Sequence, residues 1–114
     1  MPVFGRFGRV IVTYSEQPPL LRLAGDEDRS TQSLRRGALS RALATRTDLV
    51  VDLTGLSFAD PSLMLDLAML ARRLRKAGRH MLVRGAQPQI LRLIERVGLH
   101  RLPAVRIDDA PALA

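Results

Sequence analysis

A chain of 114 residues, 46% apolar and 25% charged, is the size of one domain, with enough apolar residues to form a core. It has no cysteine, which excludes a disulfide scaffold, a thiol nucleophile and a cysteine metal site. The formal net charge of +7, carried by arginines and the single lysine Lys76, makes nucleic acid or an acidic protein a partner to weigh.

Residues 1–8 read as a flexible N-terminal arm. A short tandem, Phe4-Gly5-Arg6 and Phe7-Gly8-Arg9, begins in it and ends one residue beyond it, and two copies do not make a repeat architecture. A single domain is expected over residues 9–107, with residues 108–114 as a disordered tail. Residues 10–14, rich in β-branched side chains, predict a strand. The Pro18-Pro19 pair marks a connector, and residues 20–24 predict a second strand that forms an antiparallel hairpin with the first. Asp26-Glu27-Asp28 reads as an acidic turn. Three acids there can attract a hard cation or a basic patch on a partner, but a solvated loop is the stronger reading and no metal is expected.

A helix follows to about residue 45, capped by Ser30 or Thr31. Leu34, Ala38, Leu39, Ala42 and Leu43 form its apolar face, and Gly37 weakens it. Residues 49–53 predict a buried strand, and 54–58 a turn followed by a bend. A second helix runs from Pro61 to about residue 77 and stops at Gly78. A strand at 80–84, a helix at 88–97 stopped by Gly98 and a short strand at 105–107 complete the chain. The order β-β-α-β-α-β-α, with a final β, predicts an α/β domain with a mixed sheet of four or five strands and packed helices.

The start of the second helix is the most informative stretch. Asp60 suits the N-cap and Pro61 the first helical position. Ser62 then stands in the first turn, where free N–H groups and the helix dipole favour added negative charge. A hydroxyl so placed can serve as a phosphorylation switch. At 100° per residue, Leu63, Leu67, Leu70, Ala71 and Leu74 face the core. Ser62, Asp66, Met69 and Arg73 take the opposite face, with Leu65 on its flank. Leu65 and Met69 therefore offer apolar contacts beside the hydroxyl, and a phosphate on Ser62 would disturb a partner docked there.

Several of these pieces together resemble the STAS domain, the family of bacterial anti-sigma factor antagonists. Residues 20–25 followed by Asp26-Glu27-Asp28 are similar to the family's strand ending in a Gly-Glu-x-Asp element. Residues 50–52 with Phe58-Ala59-Asp60-Pro61-Ser62 are similar to its block of Asp-Leu, Phe, Asp, Ser, Ser and Gly. Ala77-Gly78 and the strand at 81–84 match its helix-Gly-strand step. Val97-Gly98-Leu99, within residues 87–102, matches its Thr-Gly-Leu helix end.

The resemblance implies that Ser62 is the serine phosphorylated by a cognate serine-kinase anti-sigma factor. It further implies that Asp60 is the site aspartate and that Asp26 and Asp28 are the acidic pair. Asp26, Asp28, Asp60, Ser62, Leu65, Asp66 and Met69 are thus the expected partner-binding residues. It implies a cytoplasmic signalling protein that frees a sigma factor, uses no cofactor and admits a phosphatase as a further partner. Two positions depart from the pattern: Pro61 replaces Ser or Thr, and Leu63 replaces Gly, with bulk expected to hinder an approaching kinase. An STAS-like module that binds without being phosphorylated is therefore the alternative.

Catalysis is not expected. His80 and His100 lack metal-ligand spacing, no Gly-rich phosphate loop is present, and the carboxylates of Asp52 and Asp60 alone define no site. A basic nucleic-acid-binding module is the other alternative. It is disfavoured because Phe4, Phe7, Tyr14 and Phe58 are the only aromatics and offer no stacking platform. No apolar run is long enough to span a membrane, and no apolar leader opens the chain, so no membrane partner is expected.

Overall fold

The computed structural model describes residues 11–16, 19–27 and 32–108. The expected N-terminal arm, Asp28, the caps Ser30 and Thr31, and residues 109–114 lie outside these. Strands β1 (Ile11–Glu16) and β2 (Pro19–Glu27) form the expected antiparallel hairpin, with Ile11 opposite Ala24 and Glu16 opposite Pro19. Helix α1 (Gln32–Leu43) follows, then β3 (Leu49–Asp52), β4 (Leu56–Ala59), α2 (Pro61–Lys76), β5 (Met81–Arg84) and α3 (Pro88–Val97). A 3-10 turn, Leu99–Arg101, leads into β6 (Val105–Asp108).

The strands line up as β1-β2-β3-β5-β6, with β1 antiparallel and the others parallel. This is the mixed-sheet α/β domain the alternation of elements predicts, with six strands. The additional strand is β4, in the stretch read as turn and bend. It lies beside the far end of β2, past the point where β3 stops pairing. Beyond Gly25, β2 shifts register and continues through Asp26 and Glu27, so these two residues are strand and not the acidic turn expected of them. The positive φ of Gly25, +88°, makes that shift accessible, and its N–H donates to the Gly55 carbonyl at 2.8 Å.

From β2 through α1 to β3, from β3 through α2 to β5, and from β5 through α3 to β6, each crossover steps one strand in the same direction. Right-handed crossovers then place all three helices on one face of the sheet. Burial follows this rule. Leu21, Leu23, Leu49, Val51, Met81 and Val83 are sealed beneath Ala38, Ala42, Leu63, Met64, Leu67, Leu70, Leu74, Ile90 and Ile94. Alternate strand residues on the other face stay partly or fully exposed: Leu20, Val50 and Leu82, with Arg22, Arg84 and Arg106. No described helix is long and apolar enough to cross a membrane.

Helix ends are set by the expected residues. Pro61 and Pro88 occupy first positions, and Gly78 (φ +76°) and Gly98 (φ +83°) take the left-handed conformation past the C-termini. Arg73, Arg75 and Lys76 lie in the last turn of α2, where cations complement the helix dipole.

Candidate partner-docking site

The chain passes from β4 into α2 through Asp60, which keeps extended geometry (φ −69°, ψ 141°). Its Oδ1 accepts the Ser62 N–H at 2.8 Å, and its carbonyl accepts the Leu63 N–H at 2.9 Å. Ser62, partly buried, thus sits in the first turn of a 16-residue helix that has no acid in that turn. The Asp60 carboxylate caps the positive helix end from outside the first turn.

Leu63 and Met64 are fully buried and fix the rotation of α2. That rotation turns Leu65 (62% exposed) and Met69 (52% exposed) to solvent, with Asp66 between them partly buried. The sequence-derived face therefore holds, with Met64 as a further core residue. Phe58 on β4 is also 52% exposed. Phe58, Leu65 and Met69 are the large apolar side chains that stand exposed among the described residues, and all three belong to β4 and the first nine residues of α2. Phe58 was not among the expected binding residues. The signal for it was weak, because Leu56 and Ala59 are the buried members of β4 and their spacing follows no strand alternation.

Asp26 is opposite Phe58 across the β2–β4 pairing, and Glu27 is opposite Ala59. The backbone of Asp26 is thereby brought to the strand that leads into Asp60. The side chain of Asp26 and all of Asp28, the expected acidic pair, lie outside the described residues.

Beneath the site, the β3–β4 connection is clamped on several sides. Asp52 Oδ1 accepts the Thr54 N–H at 2.9 Å, and Arg84 Nη2 lies 3.5 Å from Asp52 Oδ2. Gln87 Nε2 donates to the Thr54 carbonyl at 3.2 Å, and Gln89 Nε2 to the Ser57 carbonyl at 3.1 Å. Burial disfavours the charged form of Asp52. The Thr54 hydrogen bonds and the Arg84 guanidinium outweigh it and hold the carboxyl below its ordinary value of 3.8. Gly85, at φ +74°, lies so close to Thr54 that a Cβ there would collide with its hydroxyl. The base from which Phe58 projects is therefore stiff.

Between α1 and α2 runs a hollow of about 380 Å³, lined by Leu39, Leu43, Met69 and Leu70 with Arg36 and Arg73. It extends the exposed apolar strip from Met69 toward the basic end of α2. The obstruction expected from Leu63 has no structural counterpart: its side chain is 0% exposed and points into the core, so its bulk does not stand beside the Ser62 hydroxyl.

The family model described as "Mlab, STAS domain" matches residues 11–106. Among solved structures, the chain is similar to an anti-sigma-factor antagonist (STAS) domain protein from Planctomyces limnophilus. Identity is 13%, over 89% of this chain and 91% of that one, with a TM-score of 0.70. It is also similar to a putative anti-sigma factor antagonist from Thermotoga maritima, at 10% identity over 88% and 86% of the two chains, TM-score 0.65. A third similar structure is a serine-to-glutamate variant of Moorella thermoacetica RsbS, at 20% identity over 90% and 89%, TM-score 0.59. No curated protein matches the chain.

Proposed function

Because this chain belongs to the STAS domain family, we infer that it acts as an anti-sigma factor antagonist, binding an anti-sigma factor through β4 and the first nine residues of α2. The observation that carries this reading is the exposure of Phe58, Leu65 and Met69, each more than half, on β4 and α2, the two elements that flank Asp60 and carry Ser62 in the first turn of a capped helix. An apolar rim of this kind fits a protein partner. The partner is a serine-kinase anti-sigma factor. Unmodified Ser62 permits docking and the sigma factor is freed. Phosphorylated Ser62 places ~ −1.5 to −2 charges in a contact that must lose its water, and the complex separates. A phosphatase would reset the switch. The module works in the cytoplasm and uses no cofactor.

The test is calorimetric binding of a kinase-type anti-sigma factor to the native chain and to Ser62→Ala and Ser62→Glu. Tight binding by the first two and weak binding by the third supports the reading, and equal binding by all three refutes the switch.

A second reading keeps the docking surface and omits the phosphate. It is favoured by the neighbours of Ser62. Pro61 has a fixed φ and Leu63 is anchored in the core, so the hydroxyl can be offered only in the geometry of the helix itself.

A further inference from the structure

The sheet face turned away from the helices carries two rows of side chains in register across β2, β3, β5 and β6. In one row Arg22 pairs with Asp52, Asp52 with Arg84, and Arg84 with Asp108. In the next, Leu20 pairs with Val50, Val50 with Leu82, and Leu82 with Arg106. Register partners project from the same face, so these are continuous lines. The Arg84–Asp52 approach of 3.5 Å is one rung of the first. Leu20, Val50 and Leu82 keep part of their surface exposed and take no part in the core cluster.

The first line reads plus, minus, plus, minus. Reversed, it is opposite in sign at every position. A second copy turned by a two-fold axis parallel to the strands, passing between β3 and β5, would set Arg22 over the partner's Asp108. It would set Asp52 over the partner's Arg84. The same axis sets Val50 over the partner's Leu82, and Leu20 over the aliphatic stem of the partner's Arg106, whose charged head can reach water at the rim. One operation satisfies both rows, and it is the aligned face-to-face packing common between sheets. We propose that this open sheet face is a self-association surface on which a second copy of the chain docks as an isologous dimer.

Asp52 is buried beside its own Arg84, so the exposed charges of the first line are Arg22, Arg84 and Asp108. Asp108 already has a partner within its own chain; a facing guanidinium adds a further donor, and a carboxylate accepts about four. Strands of four residues, at ~3.3 Å each, give a face smaller than the ~800 Å² per partner of a standard interface. The dimer is therefore weak and salt-sensitive. It lies on the opposite side of the sheet from α2 and leaves the Ser62 surface open.

Sedimentation equilibrium of the full chain tests this, from about 10 μM to about 1 mM at low salt. The average mass should climb from 12.6 kDa toward twice that value. Arg22→Asp and Asp108→Arg should each weaken association about tenfold, and the two together should restore it to within about threefold, because the swap re-forms the facing pair. A second variant, Val50→Thr with Leu82→Thr, keeps strand-compatible side chains and should also weaken the dimer, with thermal melts confirming that each variant is folded. A single monomer mass across the whole range overturns the proposal. So does a dimer that these substitutions leave unchanged, or one abolished instead by Met69→Arg, which would put the contact on the helix side.

Discussion

The Asp60 carboxylate accepts the Ser62 N–H at 2.8 Å, so the residue that starts α2 also fixes where the Ser62 hydroxyl stands. The fold and the proposed switch therefore share one hydrogen bond. Asp60→Ala should lower stability by about 0.5–2 kcal/mol, and Asp60→Asn should recover most of the loss, because an amide oxygen can still cap the helix. Urea melts measure this. If partner affinity falls with Asp60→Ala and returns with Asp60→Asn, the cap serves binding by positioning Ser62.

Ser62→Ala and Ser62→Glu should both fold with stability near the native value. The first removes a hydroxyl at a helix start, and the second adds a charge that the dipole favours by about 0.3–1 kcal/mol. Stability and binding should then separate: Glu is neutral or stabilising in a melt yet weakens the partner complex. A Glu variant that melts far below the native chain would show that the first turn is closed to negative charge.

Leu65→Glu and Met69→Arg should change stability by no more than about 0.5 kcal/mol, as expected of exposed positions, and should abolish partner binding. Phe58→Ser belongs to the same set, since Phe58 has the same exposure as Met69. Binding that survives the Phe58 change but not the other two would confine the docking surface to α2.

The two ends of this surface differed in how far the sequence disclosed them. The face of α2 was legible because 16 residues give four helical turns, and the leucines at 63, 67, 70 and 74 allow one rotation only. The α3 bounds were legible because Pro88 and Gly98 each have a strong positional meaning. β4 was not, because it has four residues, follows a Thr-Gly turn, and is held as a strand by β2, some thirty residues away in the chain. Long-range pairing overrides local propensity there. The extension of β2 through Asp26 and Glu27 was hidden for the same reason: acids are poor strand formers, and only β4 makes the strand continue. Missing β4 meant missing Phe58. The burial of Leu63 was read correctly, but its bulk was also placed beside the hydroxyl, and one side chain cannot do both.

The pH dependence of stability should bear the mark of Asp52. Its folded value lies below the ordinary 3.8, so its contribution is fully present above 3.8 and is lost as pH falls from there through the lower folded value. Asp52→Asn should lower the melting temperature at neutral pH and flatten its fall as pH drops below the ordinary value of 3.8. An unchanged acid limb in the Asn variant would mean that other carboxylates control acid unfolding.

Two glycines make opposite predictions. A Cβ on Gly37 meets nothing within 4 Å, so Gly37→Ala should stabilise α1 by up to about 1 kcal/mol. Gly85 combines a positive φ with Thr54 in direct contact, so Gly85→Ala should destabilise by at least about 1–2 kcal/mol and loosen the β3–β4 connection. Chemical denaturation ranks the three proteins, and any order other than Gly37→Ala, native, Gly85→Ala contradicts the local geometry.

The last prediction concerns phosphotransfer at Ser62. Slow modification by a kinase-type anti-sigma factor is expected. The cause is the rigidity of the turn: Pro61 fixes φ on one side of the hydroxyl, and Leu63 is pinned in the core on the other. Leu63→Gly would relieve the pin, but it removes a fully buried leucine and places glycine in a helix. The combined loss is about 3–6 kcal/mol, much of a small domain's stability. Any gain in phosphorylation by that variant would therefore reflect unfolded chain. Pro61→Ser is the cleaner change. It frees φ at an exposed position, retains an acceptable first helical residue, and should leave the melt within about 0.5 kcal/mol of native. Phosphorylation rates of the native chain, Pro61→Ser and Pro61→Ser with Ser62→Ala should be compared, with the modified residue mapped by mass spectrometry. A several-fold rise in Pro61→Ser, lost on removal of Ser62, identifies the rigid first turn as the limit. If phosphate appears in the double variant at the new serine or at Ser57, the kinase reads the segment and not the helix geometry. If the native chain is modified quickly at Ser62, the rigid turn is no obstacle.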